Sequence, residues 1–349
     1  MKKNIIFILS LGLIIIILCI IYYNGDDTKE KSLKNNLIKI GYNEEEANKI
    51  LNVFSEEIDC IQDNYLNNIK DLLDNKNFNI EKKCKYIDYI KKNNVSYDIG
   101  IEMVNAELEK YEFNETLYNI KNDPYFIIEN IDRYINYSNK NSNLEIRKIV
   151  SSVNANIDYN YYSNIQKVTN QNNLLVIVNK YYALDENYVP NTLVDISSTY
   201  GYGKVDKTLY DNFKLMADEA RKLNLNLYIA SGYRDYNYQK ALYNGYLKYE
   251  SKDIVDTYSA RPGHSEHQTG LAVDLSPIDD SFAYTNEYKW LKDNAHNYGF
   301  ILRYPNDLTN LTGYKYEPWH YRYVGKEVAT YIYKNNITFD EYYEYFLKR

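Results

Sequence analysis

Ser259-Ala-Arg-Pro-Gly-His264-Ser-Glu-His267-Gln-Thr-Gly-Leu-Ala-Val-Asp274 is the stretch whose reading decides this chain. It carries two of the four histidines. Asp274 follows the apolar run Leu271-Ala-Val, which reads as a buried strand. Further on, Tyr316-Glu-Pro-Trp-His320 sets another histidine three residues after an acid. Two imidazoles and one carboxylate, with a free acid beside the last, are the parts of a catalytic zinc site. Such a site uses three protein ligands and leaves the fourth tetrahedral position to water. His264 and His267 would need a helix to face one metal together. Pro262-Gly263 before them and Gly270 after them argue against one. His296 sits in a predicted helix without acids and reads as an ordinary core or surface histidine.

Working outward, Lys207 to Leu223 predicts an amphipathic helix, with Leu209, Phe213, Met216, Ala217, Ala220 and Leu223 along one side. Leu227 to Ser231 predicts a strand, and Gly232-Tyr-Arg234 leaves its end. Helices are expected at 236–249, 285–298 and 328–334. Strands are expected at 174–178, 300–304 and 319–324. Short strands in irregular alternation with helices indicate an α+β domain rather than a doubly wound parallel sheet. Upstream, 33 to about 165 is helical in pattern, with helices expected at 56–74, 79–93, 98–111, 124–138 and 143–152. No cluster there suggests chemistry, so 28–165 reads as a helical stalk or docking region.

The 349 residues suffice for two domains. The net charge of −7 argues against a nucleic-acid partner, which favours a basic face. The 42 tyrosines fit an AT-rich codon bias better than a dedicated sugar-stacking surface. Lys2 and Lys3 precede Ile5–Tyr23, an uncharged apolar run close to the ~20 residues that span a bilayer. Positive residues before such a run predict an inside N-terminus and an outside remainder. The run ends in Cys-Ile-Ile-Tyr-Tyr, unlike a small-x-small cleavage site, and Ile17-Leu18 before Cys19 does not suit a lipoprotein. Residues 1–27 are therefore expected to be a single-pass signal anchor, with the remainder at the outer face of the cell membrane. Of the three cysteines, Cys60 and Cys84 could pair if their helices are neighbours.

Four blocks carry a resemblance. Ser231-Gly-Tyr-Arg-Asp with Gln239, Ser265-Glu-His-Gln-Thr-Gly-Leu-Ala-Val-Asp274, Tyr298-Gly-Phe-Ile-Leu-Arg-Tyr-Pro305 and Tyr316-Glu-Pro-Trp-His-Tyr-Arg-Tyr-Val324 resemble the VanY-type D-alanyl-D-alanine carboxypeptidases. These belong to the LAS zinc peptidases, a group that includes lysostaphin, D-Ala-D-Ala peptidases and sonic hedgehog. The resemblance covers about 175–330, with the blocks in the family's order and spacing. It implies that 166–349 is a catalytic domain of LAS type, a small antiparallel sheet flanked by helices. It further implies one zinc ion held by His267, Asp274 and His320. Glu317 is implied as the base that activates the zinc-bound water, and Arg234, Gln239 and Ser265 as substrate-binding residues. His264 has no family role and reads as a pocket-rim residue.

The residue types suit that chemistry. Two neutral imidazoles and one carboxylate leave a bound zinc with a net positive charge, able to acidify its water. Glu317 would take that proton and return it to the leaving amine. Arg234 could stabilise the developing oxyanion or clamp the substrate's terminal carboxylate through two parallel hydrogen bonds; a surface pair with Asp235 is the bland alternative. Pro318 stiffens the backbone between Glu317 and His320. Trp319 reads as core before stacking platform. The expected reaction is removal of the C-terminal D-Ala from peptidoglycan stem peptides. L,D-carboxypeptidase action, endopeptidase cleavage, or a non-catalytic wall-binding module with structural zinc are the alternatives. Loops 250–262 and 304–316 are expected to decide the specificity.

Overall fold

The computed structural model describes residues 28–54, 57–61 and 69–348. The apolar run at 5–23 lies outside the described residues, as does part of the helix expected at 56–74. Among the described residues no helix is long and apolar enough to cross a membrane. Contacts divide the chain into two compact units, Met1–Asn122 and Asp123–Arg349.

The first unit is helical throughout its described secondary structure. Its helices include Glu44–Phe54, Ile69–Asp74, Lys83–Asn93, Tyr97–Asn105 and Glu115–Lys121. They bury Leu37, Ala47, Phe54, Leu72, Ile101 and Ile120 among others. Ser96 and Asn114 cap the last two, their side-chain oxygens accepting backbone N–H groups that the first turn leaves unbonded. Gly100 faces Ile90 so closely that a Cβ there would lie 2.2 Å from the Ile90 side chain. The glycine is what lets the 83–93 and 97–105 helices pack together. Cys60 and Cys84 are disulfide-bonded, with their Cα atoms 5.5 Å apart.

The second unit is built on a four-stranded antiparallel sheet. Its strands are β1 (Ile229–Ser231), β2 (Ala272–Leu275), β3 (Phe300–Leu302) and β4 (His320–Tyr323), in the spatial order β1-β2-β4-β3. Every pairing is antiparallel. The 207–221 helix lies in one core with Leu209, Phe213, Met216 and Ala220, packed with Val273, Leu275, Phe300 and Tyr321 of the sheet. Asp206 starts that helix, accepting the backbone N–H groups of Thr208 and Leu209 at 2.7 and 3.2 Å. A second core joins Ile301 and Val324 to Ile332, Phe339 and Tyr345 of the two C-terminal helices, Lys326–Asn335 and Phe339–Phe346. Each such side chain contributes roughly 1.5–3 kcal/mol when fully buried. This is the α+β sheet-and-helix arrangement the resemblance implies.

Three details differ from expectation. Residues 174–178 form no strand. Val176 and Val178 are buried, but the Leu174 and Val176 carbonyls accept from the Arg322 guanidinium, both at 3.0 Å, and not from a neighbouring strand. Second, the helices Ile131–Lys140 and Ile146–Asn154, read with the stalk, belong to the same contact unit as the sheet. Tyr125 stacks on Tyr345 at 4.1 Å, and the Ser151 and Tyr345 hydroxyls meet at 3.3 Å. Third, the helix Phe339–Phe346 was not anticipated. Thr338 and Glu341 form its capping box, each side chain satisfying the other's backbone N–H.

Arg303, at the end of β3, ties this last helix to the sheet. It is 1% exposed, and its Nη1 and Nη2 donate to Asp340 at 2.7 and 3.1 Å. Removing one partner of a buried ion pair leaves the other charge uncompensated. Asp340→Ala is therefore expected to cost about 3–5 kcal/mol, read as a lower urea midpoint of the second unit's unfolding.

Candidate metal centre and active-site cleft

The sheet register makes the site. Asp274 on β2 lies directly opposite His320 on β4, and Ser231 at the end of β1 pairs with Asp274 from the other side. His267 sits just before β2 in the short 3₁₀ turn Glu266–Thr269, which Gly270 closes at φ +71°. A side chain at Gly270 would be strained there and would meet the Asp206 backbone N at 3.1 Å. Glu317 precedes β4 by a single turn, closed by the His320 N–H donating to the Glu317 carbonyl at 3.2 Å.

Three predicted ligands thus converge. One ligand atom from each of His267, Asp274 and His320 lies within 4.8 Å of the others, and all three residues are buried. His267 Nε2 stands 3.2 Å from Asp274 Oδ2, and His320 Nδ1 stands 3.1 Å from Asp274 Oδ1. Hydrogen bonding alone does not account for this. His267 Nδ1 is 2.6 Å from the Gly232 carbonyl, so it carries the proton and Nε2 holds a lone pair. Both His267 Nε2 and Asp274 Oδ1 are buried without a hydrogen-bond partner. Buried lone pairs turned toward one another call for a cation between them. A nitrogen–nitrogen–oxygen set with one open side fits catalytic zinc.

Glu317 is held in the same cleft, its Oε2 3.6 Å from His320 Nδ1. Burial, set against the attraction of His320 and reinforced by the nearby Asp274 and Glu266 charges, pushes its carboxyl up to about 7. A cation at the centre would draw that value down, leaving the ionised form a base of useful strength. Arg234 extends from the end of β1. Its Nη1 donates to Ser231 Oγ at 2.8 Å and Asp274 Oδ2 at 3.2 Å, and its Nε to Gln239 Oε1 at 3.2 Å. The bland pairing with Asp235 does not form in this arrangement; Asp235 instead caps the Tyr236–Tyr246 helix. Gln239 donates to the Ala260 carbonyl at 2.8 Å. Its amide is thus engaged in fixing Arg234 and the 259–260 loop. Ser265 is buried and lines the cleft.

The cleft encloses about 360 Å³ and is bounded by these residues together with Tyr246, Tyr258, Ile278, Tyr304, Tyr314 and Trp319. Trp319 packs against the core, as expected, and also lines the cleft. His264 is not on the rim: it is buried, with Nδ1 2.7 Å from the Asn179 carbonyl and its ring edge-on to Tyr162. His296 lies flat on Tyr333 at 3.9 Å, away from the site.

The sequence reading missed several supporting residues. The Tyr304 ring packs on His320 at 4.8 Å. Glu266 lies 3.5 Å from His320 Nε2 and forms ion pairs with Arg303 and Arg322. Lys180 is buried beneath the cleft rim, its ammonium 3.8 Å from the Tyr314 ring and hydrogen-bonded to the Asp256 carbonyl. Two of the four quoted blocks contained Arg303 and Arg322, whose charge inside apolar strands was the available signal. Lys180 had none.

Because His267 Nε2 and Asp274 Oδ1 are buried without hydrogen-bond partners, the centre's metal should depend on the full ligand set. One zinc per chain is expected by elemental analysis after dialysis. Asp274→Ala and His320→Ala should each lower the zinc affinity at least about tenfold in a chelator competition.

The VanY D-alanyl-D-alanine carboxypeptidase family model matches residues 203–326. The putative carboxypeptidase YodJ of Bacillus subtilis is 38% identical over 206 residues, which cover 54% of this chain and 76% of that protein. The bifunctional D-Ala-D-Ala dipeptidase and D-Ala-D-Ala carboxypeptidase VanXYC of Enterococcus gallinarum is 32% identical over 181 residues, covering 50% of this chain and 95% of that enzyme. Among solved structures, the LdcB LD-carboxypeptidase is similar at TM-score 0.50 and 38% identity, over 52% of this chain and 91% of that one. The chain belongs to the VanY family of D-alanyl-D-alanine carboxypeptidases, which are zinc metallopeptidases.

Proposed function

We propose that the protein removes the C-terminal D-alanine from peptidoglycan stem peptides at the outer face of the cell membrane. The observation that carries this reading is Glu317, half-buried beside the three converging ligands in the cleft that also holds Arg234. When bound, zinc would supply a Lewis acid that polarises the scissile carbonyl and acidifies the attacking water. Glu317 Oε accepts the water proton as the new C–O bond forms. It then delivers that proton to the departing amine as the C–N bond breaks, so D-alanine leaves with a neutral amine. His267 is kept in one tautomer by the Gly232 carbonyl, which keeps its Nε2 lone pair available. Arg234 is preset by Ser231, Asp274 and Gln239. A guanidinium fixed in this way suits either a terminal carboxylate or a developing oxyanion. Ser265 and Gln239 complete the dipeptide end of the site, Ser265 as a direct contact and Gln239 chiefly through Arg234.

The location belongs to the same proposal. Lys2-Lys3 and the following apolar run favour an anchor with the catalytic unit outside. The Cys60–Cys84 disulfide supports that side, because such bonds persist in oxidising compartments. The helical unit ending at Asn122 would then serve as the stalk or docking region between the anchor and the catalytic unit, Asp123–Arg349.

A second reading, L,D-carboxypeptidase action on tetrapeptides, is favoured by the likeness to the LdcB LD-carboxypeptidase. Mass spectrometry of stem peptides separates the two. Loss of one alanine from pentapeptide, with tetrapeptide untouched, is the expected result; the reverse pattern refutes D,D specificity. Glu317→Gln should keep its zinc and lose about 10²–10⁴-fold in kcat. Unchanged turnover in that variant would sink the assigned mechanism, and wild-type protein that binds zinc yet cleaves neither peptide would point to a wall-binding module.

A further inference from the structure

Glu266 occupies the position between Ser265 and His267 and is buried at 1% exposure. Its two carboxylate oxygens are treated differently by their surroundings. Oε1 accepts from Arg303 Nε at 2.7 Å and lies 3.3 Å from Arg322 Nη1. Oε2 has no hydrogen-bond partner. It faces His320 Nε2 at 3.5 Å, and that nitrogen is also buried and unpartnered. A buried polar atom left so costs on the order of 1–3 kcal/mol, and two such atoms facing one another remove the cost by sharing a proton.

The two arginines are held in ways that preserve this division. Asp340, from the C-terminal helix, takes Arg303 Nη1 and Nη2, so only Nε reaches Glu266. Arg322 spends Nη2 on the Leu174 and Val176 carbonyls and Nε on the Tyr323 carbonyl. Both guanidinium groups therefore gather at one oxygen and leave the other to the imidazole.

We infer that Glu266 is a positioning residue for the metal centre, its Oε2 accepting the Nε2 proton of His320 so that the Nδ1 lone pair of His320 is directed at the metal. The inference rests on the metal-centre reading above. His267 and His320 then bind through opposite ring nitrogens: His267 through Nε2 with its proton on Nδ1, His320 through Nδ1 with its proton on Nε2. A carbonyl oxygen fixes the first tautomer and a carboxylate fixes the second.

Glu266→Gln tests this with little change of shape. A glutamine has one carbonyl oxygen, and the two arginines will claim it. The amide NH₂ then turns toward His320 Nε2 and demands a lone pair there, which moves the ring proton to Nδ1 and blocks the metal. The full-length variant is expected to bind zinc about 10- to 100-fold more weakly than wild type in a chelator competition. The thermal midpoint of the metal-free protein is measured alongside, because a merely structural role would lower that midpoint and leave the affinity of the folded protein unchanged. Wild-type zinc binding together with unaltered affinity in the folded variant overturns the role of Glu266 and leaves the metal centre standing. Should the variant fail to fold, nitrogen-15 histidine spectra of zinc-loaded wild type decide the matter. A proton on His320 Nε2, assigned by its loss in His320→Ala, supports the inference; a proton on Nδ1 overturns it.

Discussion

The pairing of Asp274 with His320 across β2 and β4 is the contact on which the site depends. It forces a carboxylate and two imidazoles into one buried volume while denying them enough hydrogen-bond donors. Sheet geometry thus stores a demand for positive charge. Arg234 meets part of it from the β1 side, and a divalent ion held by His267, Asp274 and His320 would meet the rest. Desolvated ligands of this kind bind a cation more tightly than the same groups in water, because their attraction is screened less.

Around that pairing the charged groups form two layers. The inner layer is the ligand set with Glu317 and Arg234. The outer layer is Glu266, Arg303, Arg322 and Asp340, with two acids and two bases buried together. Alternation of sign lets each charge be surrounded by its opposite, which is the condition for keeping ions inside a protein at tolerable cost. The C-terminal helix enters this outer layer through Asp340 although it lies beyond the family-matched segment. What looks in sequence like an appendage is therefore electrically part of the centre.

The sequence disclosed the inner layer because its residue types are rare and its spacing is tight. Two histidines and an aspartate near short apolar runs, and an acid three residues before a histidine, limit the chemistry sharply. The outer layer was less legible. An arginine within Phe300–Tyr304 or His320–Tyr323 gives no hint of its partners, since those come from residues far away in the chain. Elements followed the same rule. The 207–221 helix showed its apolar face, whereas Leu174–Val178 looked like a strand on apolar composition alone. Apolar composition reports that a segment is covered, not what bonds its carbonyls, and here an arginine side chain does so. The C-terminal helix was signalled by its Thr338–Glu341 capping box, but its tyrosine-rich face obscured the periodicity.

Lys180 gives the cleft a foundation that its lining does not reveal. Gly313 at φ +71° lies so close over it that a Cβ would stand 2.7 Å from the lysine Cε. Tyr161 and Tyr162 crowd the same ammonium from a segment before the matched region. The Lys315 N–H donates to the Thr257 carbonyl at 2.8 Å, tying together the two loops that wall the cleft. The height of that wall is thus set from below and from a remote part of the chain. A change in packing at 161, 162 or 180 would therefore reach the cleft wall through Tyr314 without altering any residue that lines the cleft.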